Sequence, residues 1–295
     1  MSLLYRVAEK ACYELNSLPG GGVKGLMLME SKVLADKEEL PRSMYRKGLK
    51  IKTINYKGFK IHIFKDRNAK NKSNKAIFFL PGGGGMARAT ALHYDTITRI
   101  AKKTGATVYM ANYPLAPKYN VRIALKWLEK VYDEILKRHQ AQNIIFMGDS
   151  AGANLILSLT YRLKKKPGKL IVISPACGLE YGKNRNIRLA FEEYDPILNV
   201  KMNDIIAENW CRNVELNSPD ISPEYIDYKN FPPMYFFYGK HEIFYPHVMN
   251  YICSLRSQGV GFSQEVNSMC HDWALCSFFP EGRKAVKKMC KWILN

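Results

Sequence analysis

Three things are scarce or missing in this chain of 295 residues. No apolar run nears the roughly 18 residues that a membrane-spanning helix needs, which leaves no transmembrane candidate and no expectation of stable membrane insertion. No Cys-x-x-Cys pair occurs among the seven cysteines. Their odd number fits reduced, mostly buried thiols better than a disulfide framework. Acidic residues are few, 26 against 45 basic ones, giving a net charge of +19. Such a charge can steer anionic partners. The lysines are scattered, however, and the densest cluster is only Lys164-Lys165-Lys166. Zinc-ligand spacing and an aromatic RNA-binding signature are both absent. The charge therefore reads as a Lys-rich solubilising surface, with no nucleic-acid partner. The opening Met1-Ser2-Leu3-Leu4-Tyr5-Arg6 lacks the features of a signal peptide, so a cytoplasmic location is expected. There is no internal repeat and no low-complexity segment.

What is present is a substantial apolar complement, 47% of residues. Residues 1–48 read as mostly helical, with Val7, Ala11, Leu15 and Leu18 at helical spacing. Pro19-Gly20-Gly21-Gly22 interrupts them as a flexible connection. It lacks the preceding strand and the Gly-Lys-Ser/Thr ending of a phosphate loop. From Lys50 the pattern changes. Lys50–Tyr56 and Phe59–Phe64 alternate as a hairpin turning at Lys57-Gly58. Strands are predicted at Ala76–Leu80, Ala106–Met110, Asn143–Met147, Lys169–Ile173, Met234–Tyr238 and Gly261–Val266. Helices are predicted at Thr90–Lys103, Val121–His139, Ala151–Lys164, Pro246–Gln258 and Glu281–Leu294. That alternation predicts an α/β protein with a mostly parallel sheet covered on both faces. Residues 178–231 break the rhythm. Punctuated by prolines and without a convincing strand, they read as an insertion over the carboxyl ends of the strands. Two parts are expected: a helical cap segment at 1–48, and a core at 49–295 carrying a cap insertion.

The chemistry centres on Gly148-Asp149-Ser150-Ala151-Gly152. The strand pattern Asn143–Met147 precedes it and the helix pattern Ala153–Leu159 follows. This is Gly-x-Ser-x-Gly in the strand–turn–helix context that exposes a nucleophilic serine. The flanking glycines let strand and helix approach closely, and the helix N-terminus favours developing negative charge. A plain turn serine is the alternative. Asp149 is expected to brace this elbow, with its side chain pointing away from Ser150.

Upstream, Ile77–Leu80 runs into Pro81-Gly82-Gly83-Gly84-Gly85. Four successive glycines are costly to order, so bare backbone is needed there. Amide N–H groups aimed at a tetrahedral oxyanion are worth about 3–4 kcal/mol each. That role is assigned to Gly83, Gly84 and Ala151; a flexible loop is the alternative. A serine needs a base oriented by a carboxylate, and this arrangement places them in the order Ser, Asp/Glu, His. His271, between the last strand and the last helix, is the base candidate. Glu242, following Met234–Tyr238, is the acid candidate. Asp195 and Asp227 belong to the insertion, and Asp272 is poorly placed to hold the Nδ1 of His271. His241 is a rival base beside the acid. Met86, Tyr194, Trp210, Tyr245 and Trp273 are the candidates to line an ester pocket, although each also fits plain packing.

These residues resemble the hormone-sensitive-lipase-like branch of the α/β-hydrolases. The matching features span 77–280 in order: the glycine loop, Asn112-Tyr113-Pro114-Leu115-Ala116-Pro117, the elbow, Ser174-Pro175, Asp195-Pro196, Gly239 to Glu242, and His271-Asp272-Trp273. The resemblance implies an α/β-hydrolase fold with an eight-stranded sheet, a helical cap, and metal- and cofactor-independent hydrolysis of short- to medium-chain acyl esters. A small-molecule ester is the expected partner, and a homodimer stays open. Pro81 stands where the family's glycine loop has a histidine, so the loop is expected to be braced differently. Pro114 stands where arginine is usual, Lys118 replaces an acidic residue, and Glu242 stands where many members use aspartate. An amidase or peptidase on the same fold, a non-catalytic binding protein and a charge-driven nucleic-acid binder are the rival readings.

Overall fold

The computed structural model describes residues 1–16, 40, 48–68, 73–177 and 185–295. In chain order the elements are α1 (Leu3–Asn16), β1 (Leu49–Tyr56), β2 (Phe59–Asp66), β3 (Ala76–Leu80), α2 (Ala91–Thr104), β4 (Thr107–Ala111), α3 (Val121–Leu136), β5 (Ile144–Asp149), α4 (Ala151–Arg162), β6 (Lys169–Ile173), α5 (Arg185–Glu192), α6 (Val200–Trp210), β7 (Met234–His241), α7 (Tyr245–Ser257), β8 (Phe262–Cys270) and α8 (Pro280–Leu294). The strands form one eight-stranded sheet in the order β1-β2-β4-β3-β5-β6-β7-β8. β1 and β2, and β2 and β4, pair antiparallel; every later pair is parallel.

Sequence pattern accounts for this layout. β3, β4 and β5 are buried at every residue, as unbroken apolar runs in the middle of a two-sided sheet must be. Alternate side chains then serve opposite layers. Phe78 and Phe146 pack with α3, α4 and α7, while Ile77, Phe79 and Ile145 pack with α2 and α8. The β1–β2 hairpin turns at Lys57 and Gly58, with φ of 50° and 87°. Two left-handed residues match the twist of a tight hairpin.

Two expectations change. β8 runs on to Cys270, past Val266, because Gly239↔Asn267 and His241↔Cys270 remain in register across a bulge. The polar Asn267-Ser268 is held in the strand by its neighbour, not by propensity. In α1 the helix forms, but Val7 is 62% exposed while Tyr5 is buried. The Tyr5 hydroxyl accepts the Cys270 N–H at 2.7 Å and its ring meets Phe279 edge-on at 5.3 Å. The glycine run at 19–22 and the rest of the expected N-terminal cap lie outside the described residues, as do 178–184 of the insertion. The described remainder of the insertion carries α5, α6 and a turn of 3-10 helix at Pro223–Tyr225, and no strand.

Packing is tight where β5 bends into α4. A Cβ on Gly152 would stand 2.1 Å from the Leu80 carbonyl oxygen at the end of β3, and one on Gly148 would stand 2.5 Å from the Gly152 carbonyl oxygen. Backbone cannot retreat cheaply from such contacts. Gly152→Ala is expected to destabilise the fold by about 1–3 kcal/mol. Urea unfolding checks this, and an unchanged midpoint would contradict the packing.

Candidate active site

Ser150 stands at the bend itself, with φ 50° and ψ −122°. A positive φ is strained for a residue with a Cβ, and the flanking close contacts hold it there. Its N–H donates to the Ile173 carbonyl at the end of β6, 2.9 Å away. Among the described residues its Oγ makes no hydrogen bond, and the residue is 8% exposed.

The next residue after Ile173 ties the other parts together. Ser174, at φ 40°, donates from Oγ to Glu242 Oε1 at 2.7 Å and accepts the Asp272 N–H at 3.1 Å. Glu242 follows β7 and is fully buried. Its Oε1 also accepts the Gly239 N–H at 2.6 Å, and its Oε2 lies 3.2 Å from His271 Nδ1. His271 follows β8. Nδ1 against a carboxylate places the proton on Nδ1 and leaves Nε2 as the free position, and Nε2 has no hydrogen-bond partner. Burial alone pushes the imidazolium down. The charges of Asp272 and Glu242, with the Glu242 hydrogen bond, outweigh it and raise His271 above its ordinary value.

The glycine loop has its own brace. Asp149 Oδ2 accepts the Gly82 N–H at 3.0 Å and meets His93 Nε2 at 2.9 Å. His93 Nδ1 accepts the Thr90 N–H at 2.8 Å, which assigns the proton to Nε2, facing Asp149. The Tyr113 hydroxyl donates to the Pro81 carbonyl at 2.7 Å, and the Ala116 N–H donates to the Gly85 carbonyl at 2.8 Å. Gly83 and Gly84 adopt φ of 110° and 64°. Their N–H groups, and that of Ala151, donate to no protein acceptor.

Ser150, Glu242 and His271 thus sit at the carboxyl ends of β5, β7 and β8, and Ser174 ties Glu242 to the Asp272 N–H beside His271. His241 is half-buried and lies 6.5 Å ring-to-ring from Tyr194. Among the pocket candidates, Tyr194 is exposed and Tyr245 half-buried. Trp210 is buried beside Tyr113 and borders, with Ala151 and Asn154, a small closed cavity. Met86 and Trp273 are buried as well. Met86 is 2% exposed below the glycine loop, and Trp273, also 2% exposed, packs toward Phe237 in the α2–α8 layer.

Sequence reasoning missed the cross-links. Ser174 appeared only as part of a Ser-Pro pair. Asp195 was set aside with the insertion, yet its Oδ2 accepts the Ile243 N–H at 3.0 Å, next to Glu242, and burial pushes its carboxyl up to about 6. His93 gave no signal beyond its place in an amphipathic helix.

A family model of the α/β-hydrolase fold matches residues 77–275. The chain belongs to the α/β-hydrolase fold family. Among curated relatives of this hydrolase-fold chain, an esterase of Acinetobacter venetianus is 28% identical over 181 residues, 59% of either chain. Arylacetamide deacetylase of Rattus norvegicus is 29% identical over 36% of this chain and 29% of its own. The chain thus spans under two thirds of the curated relatives it matches. Among solved structures, an esterase of the bacterial hormone-sensitive lipase family superposes with a TM-score of 0.82 at 20% identity, covering 100% of this chain and 98% of its own. A hormone-sensitive lipase from a metagenome library gives 0.76 at 22% identity, covering 92% and 97%. The fold is shared along almost the whole length. Among the described residues of this hydrolase-fold chain, no helix is long and apolar enough to cross a membrane.

Ser174→Ala removes a donor from a buried carboxylate and an acceptor from a main-chain N–H. It is expected to cost about 1–3 kcal/mol, read as a lower urea midpoint; an unmoved midpoint would remove Ser174 from the network.

Proposed function

We propose that the chain is a serine carboxylesterase that hydrolyses short- to medium-chain acyl esters through an acyl-enzyme. One observation carries the reading. The His271 imidazole is anchored by Nδ1 on the buried Glu242, while its Nε2 and the Ser150 Oγ have no hydrogen-bond partner among the described residues. Those are the two atoms between which the reaction moves a proton.

In this reading His271 Nε2 takes the proton as Ser150 Oγ bonds to the ester carbonyl carbon. Glu242 stabilises the imidazolium. The carbonyl oxygen becomes an oxyanion, met by the free N–H groups of Gly83, Gly84 and Ala151 and by the N-terminal end of α4. His271 returns the proton to the departing alkoxide as the C–O bond breaks. Water, deprotonated by the same imidazole, then releases the acid. No metal or cofactor enters. The half-buried Tyr245 and exposed Tyr194, with the helices of the insertion, make the cap over the acyl chain. The names of the Acinetobacter and structural relatives support ester substrates. The rat relative's name admits an acetamide, so a matched ester and amide series is included in the test, with the ester expected to turn over faster.

Ser150→Ala is expected to fold normally, to abolish p-nitrophenyl butyrate hydrolysis and to lose labelling by a fluorophosphonate probe. Undiminished turnover would reject the assignment. Glu242→Gln is expected to lower kcat by about 10³-fold or more, and a loss below tenfold would move the acid elsewhere.

A further inference from the structure

His271 has a carboxylate on each side. Glu242 Oε2 stands 3.2 Å from Nδ1, and Asp272 Oδ2 stands 3.4 Å from Nε2. The second contact falls on the nitrogen that must face Ser150. Asp272 is fixed there by its own backbone, in the left-handed region at φ 58° and ψ 22°. Its N–H is held by Ser174 Oγ at 3.1 Å, the hydroxyl that also donates to Glu242. Its carbonyl accepts the Leu275 N–H at 3.0 Å, closing the turn that follows. Its Oδ1 is buried and has no hydrogen-bond partner. No described donor other than the imidazole comes within reach of this carboxylate, so its charge is directed at His271.

We propose that Asp272 is a positioning residue that sets a second negative charge beside His271, holds the imidazole protonated and so moves ester hydrolysis to alkaline pH. The proposal rests on the esterase reading. An imidazolium cannot take the proton of Ser150, and a neighbouring carboxylate favours the charged ring. The rate therefore rises only as pH climbs past the titration of His271.

The surrounding groups agree in sign. Glu242 after β7 and Asp195 in the insertion both add negative charge at His271, and Asp272 is the strongest of the charges that raise it. The Phe244 ring, 5.7 Å from the imidazole, supplies no charge. Burial pushes the Asp272 carboxyl up. The His271 charge opposes this, Asp149 and Glu242 add to it, and His93 opposes it again. Burial wins, so the Asp272 carboxyl is pushed up to about 8, and the two form an ionised pair only once Asp272 has lost its proton. Deprotonating the imidazole breaks that pair, which is why the base becomes available late.

The test is the pH profile of kcat/KM for p-nitrophenyl butyrate in the wild type, Asp272→Asn and Asp272→Gly. Asparagine tolerates the left-handed backbone, and glycine releases it, so a folded variant is secured either way. The acid limb is expected to move down by about one pH unit or more in both variants. The His271 imidazole resonances followed by NMR are expected to titrate lower in step. A limb that stays in place or moves up in the folded variants overturns the proposal. His271→Asn run in parallel separates the two layers, because surviving hydrolysis there overturns the esterase reading itself. An inactive His271→Asn with an unmoved Asp272→Asn profile overturns the role of Asp272 alone.

Discussion

A carboxylate with no exposed surface either meets donors or loses its charge, because desolvating an unpaired ion costs several kcal/mol. Glu242 is in that position. It is met by Ser174 Oγ, the Gly239 N–H and His271 Nδ1. Each donor comes from a different strand end, β6, β7 and β8. Satisfying one buried charge therefore fixes the relative heights of three strands at one edge of the sheet. The extended pairing of β8 with β7 as far as Cys270 serves the same end, since it delivers His271 to Glu242.

A second carboxylate does the equivalent work on the other side of Ser150. Asp149 joins the glycine loop through Gly82 and α2 through His93. Tyr113 adds a donor to the Pro81 carbonyl. The loop that begins at Pro81 is thereby clamped to β5, the strand that leads into Ser150. Gly83 and Gly84 can leave their N–H groups unsatisfied only because the rest of the loop is so well held. Unpaired backbone donors are expensive unless a ligand or solvent meets them, and these two residues are the more open part of the loop.

Much of this was legible from residue order. β3 and β6 fall on their expected bounds, because short apolar runs between turn residues leave little choice of state. The elbow, Glu242 and His271 were legible because their chemistry needs a fixed chain order relative to the strands. What was not legible is long-range. Ser174 and Glu242 lie 68 residues apart, and Gly82 and Asp149 lie 67 apart. Nothing in a serine or histidine announces a partner at that distance. The end of β8 was missed because pairing with a neighbour overrode the poor strand preference of Asn267 and Ser268.

The contact of Tyr5 with Cys270 gives the first helix a hold on the residue directly before the imidazole. The Ser2 N–H fastens the same helix to Glu281 Oε1 of α8 at 2.6 Å. A proteolytic cut after Arg6 would release that clasp while leaving every strand and every reacting group covalently in place. The orphaned Cys270 amide would then have to find water, and the segment bearing His271 would loosen. Damage to the first helix would thus register at the candidate site, which makes the leading residues a mechanical support of it and a poor place to attach a short, tightly coupled affinity tag.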